Sequence, residues 1–238
     1  MAESVQRNVL GVLGGMGPLA SAEFLKTIYE YNLGEHEQDS PIVVVFSDPT
    51  FPDRTDSFLK RNDDVLLKRL IEALRRLCEF GASKIVICCI TLHYLLPRLP
   101  NDLRKQIISL VDVIFANVLQ TQKRHLLVCT SGTQKLGIFQ SHQQWMFAKD
   151  YLILPDENDQ YLIHKLIYER TKRNGDIREL KQLIELLLSK YQVDAFVAGC
   201  TEIHLLAKHF SSSSGNQKGY GCVDPLTIIA KGVTEEKI

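Results

Sequence analysis

Short apolar runs rich in β-branched residues alternate along this chain with segments whose apolar residues recur at helical spacing. That alternation limits the fold more than any other feature. The runs are Val9 to Leu13, Pro41 to Phe46, Lys84 to Cys89, Arg124 to Thr130, Tyr151 to Leu154, Asp194 to Gly199 and a last short piece, Tyr220 to Val223. Runs of this length and composition suit strands buried on both faces, as in a parallel sheet covered by helices. Between them, Phe24/Ile28, Leu66/Leu70/Leu74/Leu77, Leu162/Leu166 and Leu180/Leu183/Ile184/Leu187 keep the 3.6-residue period of amphipathic helices. Strand and helix in turn make a βαβα chain, hence an α/β fold with parallel sheets flanked by helices. Pro18 stands where the first helix should begin and Pro225 where the last should; Gly81 and Gly175 stand where two others should end. Ser211 to Gly219 reads as a flexible connection.

At 238 residues the chain is long enough for one large α/β domain or two smaller ones sharing a cleft. Its 28 Lys and Arg balance 28 Asp and Glu, so no basic field draws nucleic acid or an acidic membrane surface, and a small neutral or zwitterionic ligand fits better. The longest stretch without a charge, between Arg7 and Glu23, is 15 residues. That is short of the roughly 18 needed to span a bilayer. It imitates a signal peptide, yet four glycines and Pro18 interrupt it. Six cysteines are too sparse for a disulfide scaffold and read as free thiols in a reducing cytoplasm.

An internal repeat carries more information. Aligning Ala82 to Leu96 on Val193 to Ala207 without gaps pairs Val86 with Val197, Cys89 with Cys200, His93 with His204 and Leu95 with Leu206. Each half then has a buried strand ending in Cys at the start of a helix, with a His one turn later. Ligands of open α/β sheets bind at such strand ends. Two such halves, facing each other, would set two thiols on opposite sides of one cleft. A thiol at a helix N-terminus is made more acidic by unpaired N–H groups and the helix dipole. One thiolate can then take the α-proton of a carbon acid while the opposing thiol protonates the other face, which inverts the stereocentre without a cofactor. Taken singly, each cysteine would be an ordinary core residue; their matching contexts favour the paired reading.

These residues resemble the aspartate/glutamate racemase family of cofactor-independent amino-acid racemases. The opening Gly11-Val12-Leu13-Gly14-Gly15-Met16-Gly17-Pro18-Leu19-Ala20 is similar to that family's first strand-loop-helix motif, and Pro52-Asp53-Arg54-Thr55 to its Pro-Asp-Arg-Thr signature. Cys89-Ile90-Thr91-Leu92-His93 resembles its Cys-Asn-Thr-Ala-His, and Gly199-Cys200-Thr201-Glu202-Ile203 its second cysteine motif. Thr130-Ser131-Gly132-Thr133 and Lys172 fall where the family has a Thr-x-Gly-Thr loop and a late Lys. The resemblance implies two similar α/β domains related by a pseudo-twofold axis, here 1–110 with 215–238, and 111–214, with the active site between them. It implies a homodimer, no cofactor and no metal, with Cys89 and Cys200 as the acid/base pair. Arg54 and Lys172 would hold a side-chain carboxylate. Met16, Thr91, Thr130, Gly132, Thr133 and Thr201 would line the α-amino-acid end.

Departures from the family pattern put the substrate in question. Ile90 replaces the Asn that usually follows the first Cys, Asp48 and Thr50 stand where Asn and Gln are common, and His204 replaces a frequent Pro. Thr50 and Ile90 are therefore included among the substrate-lining positions, and the ligand is expected to be an amino acid or another small carboxylate. Several alternatives remain at this stage. Gly15-x-Gly17-x-x-Ala20 fits a dinucleotide fingerprint. Cys89/His93 and Cys200/His204 have the i, i+4 spacing of zinc ligands. Related folds include decarboxylases and cis–trans isomerases of small dicarboxylates, and a silent binding protein could keep the cleft without the chemistry.

Overall fold

The computed structural model describes residues 8–211 and 220–233. The connection expected over Ser211 to Gly219 lies outside these residues, except that Ser211 ends a helix. Among the described residues, strands β1 (Val9–Gly14), β2 (Ile42–Ser47), β3 (Ala82–Ile87) and β4 (Ile107–Ile108) form one sheet in the order β2-β1-β3-β4. Strands β5 (His125–Cys129), β6 (Leu152–Ile153), β7 (Ala195–Gly199) and β8 (Gly221–Val223) form the other, in the order β6-β5-β7-β8. All six strand pairings are parallel. The second sheet repeats the first strand for strand, so the short sequence repeat over β3 and β7 belongs to a repeat of topology.

Alternation along the interior strands explains the packing. Successive side chains on a strand face opposite ways. Val12 of β1 and Val86 of β3 face a core that also takes Leu127 of β5 and Val197 of β7, filled by Phe24, Leu110, Phe115 and Leu226. Their neighbours Leu13, Ile85 and Ile87 face a second core made with Leu66, Leu70, Leu74 and Leu77 of the helix Asp63–Glu79. Leu126, Val128, Phe196 and Ala198 face a third, made with Leu180, Ile184 and Leu187 of the helix Arg178–Lys190. The two sheets thus share one inner core, and each keeps an outer core of its own. Pro18 opens the first helix, Pro18–Tyr31. Gly81 and Gly175 take φ of +89° and +70° beyond helix ends, a region open to glycine without cost.

Two expectations need correction, and the tail needs placing. The run Pro41 to Phe46 forms β2, but as an edge strand that leaves Ile42 44% and Val45 36% exposed, because it has a neighbour on one side only. In the helix Glu157–Leu166 the buried side is Gln160 and Ile163, while Leu162 of the expected stripe is exposed. The tail expected with the first unit is shared between the two. Its strand β8 pairs with β7 in the second sheet, while its helix, Pro225–Gly232, is tied to the first helix by Asn32 Nδ2 donating to the Ala230 carbonyl at 2.7 Å. No helix among the described residues is long and apolar enough to cross a membrane.

Candidate active site

Four interior strands, β1, β3, β5 and β7, carry most of the expected site residues just beyond their carboxyl ends, as is usual for parallel strands, while Thr50 and Arg54 follow the edge strand β2 and Lys172 opens the short helix Lys172–Asn174. Cys89 follows β3 in extended backbone, and Cys200 follows β7 likewise. Contrary to the expectation of a cysteine at a helix start, neither is followed directly by an α-helix. The segment Ile90–Arg98 after Cys89 is a 3₁₀ helix containing Pro97, and Thr201–Ile203 after Cys200 is a 3₁₀ turn that leads into the helix His204–Ser211. The loops of the two halves interlock: Thr201 Oγ1 donates to the Cys88 carbonyl at 3.2 Å, and the Thr91 and Thr133 hydroxyls lie 2.9 Å apart. Thr133 also meets the Thr130 hydroxyl at 3.1 Å. These hydroxyls are buried together between the sheets' ends.

Around the two thiols lies a buried set of charges. Arg54 begins the short helix Arg54–Leu59, whose N-cap Asp53 accepts from the Asp56 N–H at 2.9 Å. Its guanidinium donates to the carbonyls of Met16 at 3.0 Å and Pro52 at 3.1 Å. Burial works against its charge, but Cys89, Asp53, Tyr168 and Glu202 together outweigh burial and hold its pKa above the ordinary value. From the other half, Lys172 extends its ammonium to 3.4 Å from Glu202 Oε1. Burial again opposes the charge, and Glu202 and Cys200 outweigh it, so Lys172 stays protonated. The Cys200 Sγ–H donates to Glu202 Oε2 at 2.8 Å. Burial pushes this thiol well above its usual pKa and the Glu202 charge adds to the shift, with Lys172 offsetting part of it. The helix-dipole argument predicted the opposite direction for Cys200; desolvation beside a carboxylate is the larger effect.

Residues 13–232 match the family described as Asp/Glu/Hydantoin racemase. This chain belongs to that family. It is 20% identical over 226 residues to the broad specificity amino-acid racemase RacX of Bacillus subtilis (strain 168), covering 92% of this chain and 96% of that one. Its fold is similar to that of Picrophilus torridus aspartate racemase, with a TM-score of 0.78, 20% identity, and coverage of 96% and 93% of the two chains. It is also similar to allantoin racemase from Klebsiella pneumoniae, with a TM-score of 0.58, 16% identity, and coverage of 96% and 86%. At such identities these solved structures show the fold alone.

In this member of the racemase family, the expected residues fall into two groups. Cys89, Thr91, Arg54, Thr130, Thr133, Lys172, Cys200 and Thr201 meet between the halves through the contacts above, and Gly132 packs against Thr55 of the first half. Met16 contributes its carbonyl, while its side chain packs in the first half's outer core. Ile90 packs in the shared core. Thr50 is held elsewhere: its hydroxyl donates to Asp48 at 2.7 Å and accepts from Arg69 at 2.6 Å, and Arg69 also pairs with Asp48 at 2.8 Å.

The zinc and dinucleotide alternatives lose their geometry. His93 accepts the Leu110 N–H on Nε2 at 3.0 Å, so its proton is on Nδ1, donated to the Cys89 carbonyl at 3.1 Å; burial holds its pKa down to about 4. His204 is fully buried, with Nδ1 2.6 Å from Asp224 and Nε2 3.0 Å from Thr27 Oγ1. Both rings therefore spend both nitrogens within the protein. The glycines of the fingerprint make room for protein groups: a Cβ at Gly15 would lie 2.3 Å from the Asp48 backbone, and one at Gly17 would lie 2.4 Å from Glu202 Oε1. A cavity of about 580 Å³ opens beside the Ile90–Arg98 segment, lined by His93, Tyr94, Arg104, Asp112 and His142 among others, and neither thiol lines it. Two residues missed as site members stand out. Glu202 lies inside the second cysteine motif, where nothing in the sequence gives it a role, and Tyr168 has no sequence signal beyond standing one turn before Lys172.

Proposed function

We propose that the protein is a cofactor-independent amino-acid racemase working by proton transfer between Cys89, Cys200 and the two faces of the substrate's α-carbon. The observation that carries this reading is a strand-end thiol from each topological repeat, each with its own charged neighbours: Arg54 for Cys89, Glu202 and Lys172 for Cys200. Cys200 is a thiol whose proton is held toward Glu202, and Cys89 lies close enough to the Arg54 guanidinium for the two to interact electrostatically. In one direction Cys89 removes the α-proton as its S–H bond forms and the C–H bond breaks, leaving the electron pair on the carbanion. Cys200 then delivers its proton to the opposite face. The enzyme is left with a Cys89 thiol and a Cys200 thiolate, the state from which the other enantiomer reacts. The Lys172 ammonium supports that thiolate, and the Thr91, Thr130 and Thr133 hydroxyls can donate to the substrate carboxylate as charge builds on it.

Membership in a family whose relatives are named for aspartate and for a broad range of amino acids supports an amino-acid substrate, with Arg54 and Lys172 holding its carboxylate groups. The exposed apolar edge strand β2 supports the homodimer that the resemblance implies. The test is incubation of the pure protein in D₂O with L- and D-amino acids, followed by NMR of the α-proton and a chiral assay of the product. Solvent deuterium in the inverted product, abolished by Cys89→Ala and by Cys200→Ala, is the expected result. A protein that exchanges no α-proton across the panel, or a cysteine variant with full activity, refutes the reading.

A further inference from the structure

Resting on that function, we infer that Tyr168 is a positioning residue that latches the cleft shut over the two thiols. Its phenol O–H donates to Asp53 Oδ2 at 2.9 Å, which leaves the phenol oxygen to accept from Thr55 Oγ1 at 3.2 Å. Asp53 and Thr55 flank Arg54 in the first half, whereas Tyr168 belongs to the second. Both hydrogen bonds therefore cross between the two halves. The ring has a second task. Lys172 Nζ lies 4.4 Å from its centroid, within cation–π range, and the His164 ring packs on it at 4.4 Å. Tyr168 thus joins the turn that carries one cationic side chain, Arg54, to the turn that carries the other, Lys172.

Local backbone and burial agree with this assignment. Tyr168 stands on a single π-helical turn, Ile167–Thr171, set between the helix Glu157–Leu166 and Lys172. Such turns cost backbone hydrogen-bond geometry and recur where a side chain has to be aimed. Beside the phenol, Thr55 approaches Gly132 so closely that a Cβ there would lie 2.4 Å from Thr55 Oγ1. The halves therefore touch at this edge, with Asp53 and Tyr168 half-buried at the outside, while Cys89 and Cys200 beneath are only 6% and 7% exposed. Parting the halves here must break the phenol's contacts before an amino acid reaches the sulfurs.

Thiol labelling tests the latch without substrate. Iodoacetamide modification is followed site by site by mass spectrometry in the wild type, Tyr168→Phe, Tyr168→Leu and Thr55→Val. At the ordinary net strength of a hydrogen bond, modification of Cys89 and Cys200 should speed up about fivefold in Thr55→Val, which loses one of the phenol's bonds, and about twenty-fivefold in Tyr168→Phe, which loses both. Tyr168→Leu, which also loses the ring, should exceed both. Cys88 and Cys129, in the shared core, should keep their wild-type rates. Unchanged labelling of Cys89 and Cys200 in Tyr168→Phe overturns the inference, and so does an equal acceleration at Cys88 and Cys129, which would report general loosening. Where racemisation is measured, Tyr168→Phe should raise KM more than it lowers kcat, and a hundredfold fall in kcat alone would overturn the positioning role. A wild-type protein that racemises nothing refutes the proposed function, while the labelling still decides the latch.

Discussion

Replacing Asp224 by Asn should destabilise this protein by about 3 kcal/mol, the lower end of the range for breaking a buried ion pair by removing one partner. The proton inventory explains why a charge is at stake. Thr27 Oγ1 donates its only proton to the Glu23 carbonyl at 2.8 Å, so His204 Nε2 must donate to Thr27. Asp224, an acceptor, takes the other ring proton at 2.6 Å, so the hydrogen bonds call for a proton on each nitrogen of the buried ring. Asp224 has two further partners, the Leu226 N–H at 3.2 Å and the Thr227 hydroxyl at 2.6 Å. An amide oxygen can still accept from either, so the substitution removes charge more than capping. Burial raises the Asp224 pKa, but the His204 charge and the hydrogen bonds outweigh it, and the folded value lies below 3.8. A depressed carboxyl pKa contributes stability above the unfolded value, and that stability is lost as pH falls through the folded one. Urea unfolding followed by far-UV circular dichroism should therefore show the full gap between wild type and variant at about pH 7, shrinking below 3.8. For a chain of this size the gap corresponds to a Tm about 10 °C lower. A difference under about 1 kcal/mol, or one that stays constant into acid, refutes the buried ion pair.

Two further perturbations address the thiol settings. Glu202→Gln removes the charge that helps raise the Cys200 pKa, so the pH midpoint of Cys200 alkylation should move down. Racemisation should fall about a hundredfold, the ordinary size of a lost proton-transfer partner; an upward shift, or activity within twofold, would contradict this account. In Gly17→Ala the backbone is unstrained at φ −118°, but the added carbon would lie 2.4 Å from Glu202 Oε1 and must displace the carboxylate. Activity should drop ten- to a hundredfold, roughly as for an ångström of misplacement, with the melting curve nearly unmoved; a variant that is unfolded, or fully active, would show that Glu202 does not need this space.

Much of the fold was legible because strand cores announce themselves. The runs around Val12, Val86, Leu127 and Val197 had no polar side to offer water, and all became interior strands. The same signal misled at β2, since an apolar run does not record whether a neighbour lies on one side or both. β4, two residues long, is too short to show a period. The thiols were legible through their matching strand ends. Their electrostatics were not, because burial and the Glu202 carboxylate are properties of the folded site and the dipole rule knows only the local chain. The setting of Thr50 was hidden for a similar reason: Arg69, its partner, stands on a helix 19 residues away. Lys172 was visible by resemblance only, and Tyr168 not at all, because the phenol's partners Asp53 and Thr55 precede it by more than a hundred residues.

The tail that gives its strand to one sheet and its helix to the other half also governs how the chain can be made. During synthesis residues 9–108 complete the first sheet early, but its inner face waits for a partner layer. That layer includes Leu226, Ile229 and Ala230, which are synthesised more than a hundred residues after the first sheet is complete. Until then the nascent chain presents open valine- and leucine-rich surfaces, a state in which aggregation competes with folding. A chain cut just before Pro225 would thus keep every strand of both sheets and still be unable to close the core they share.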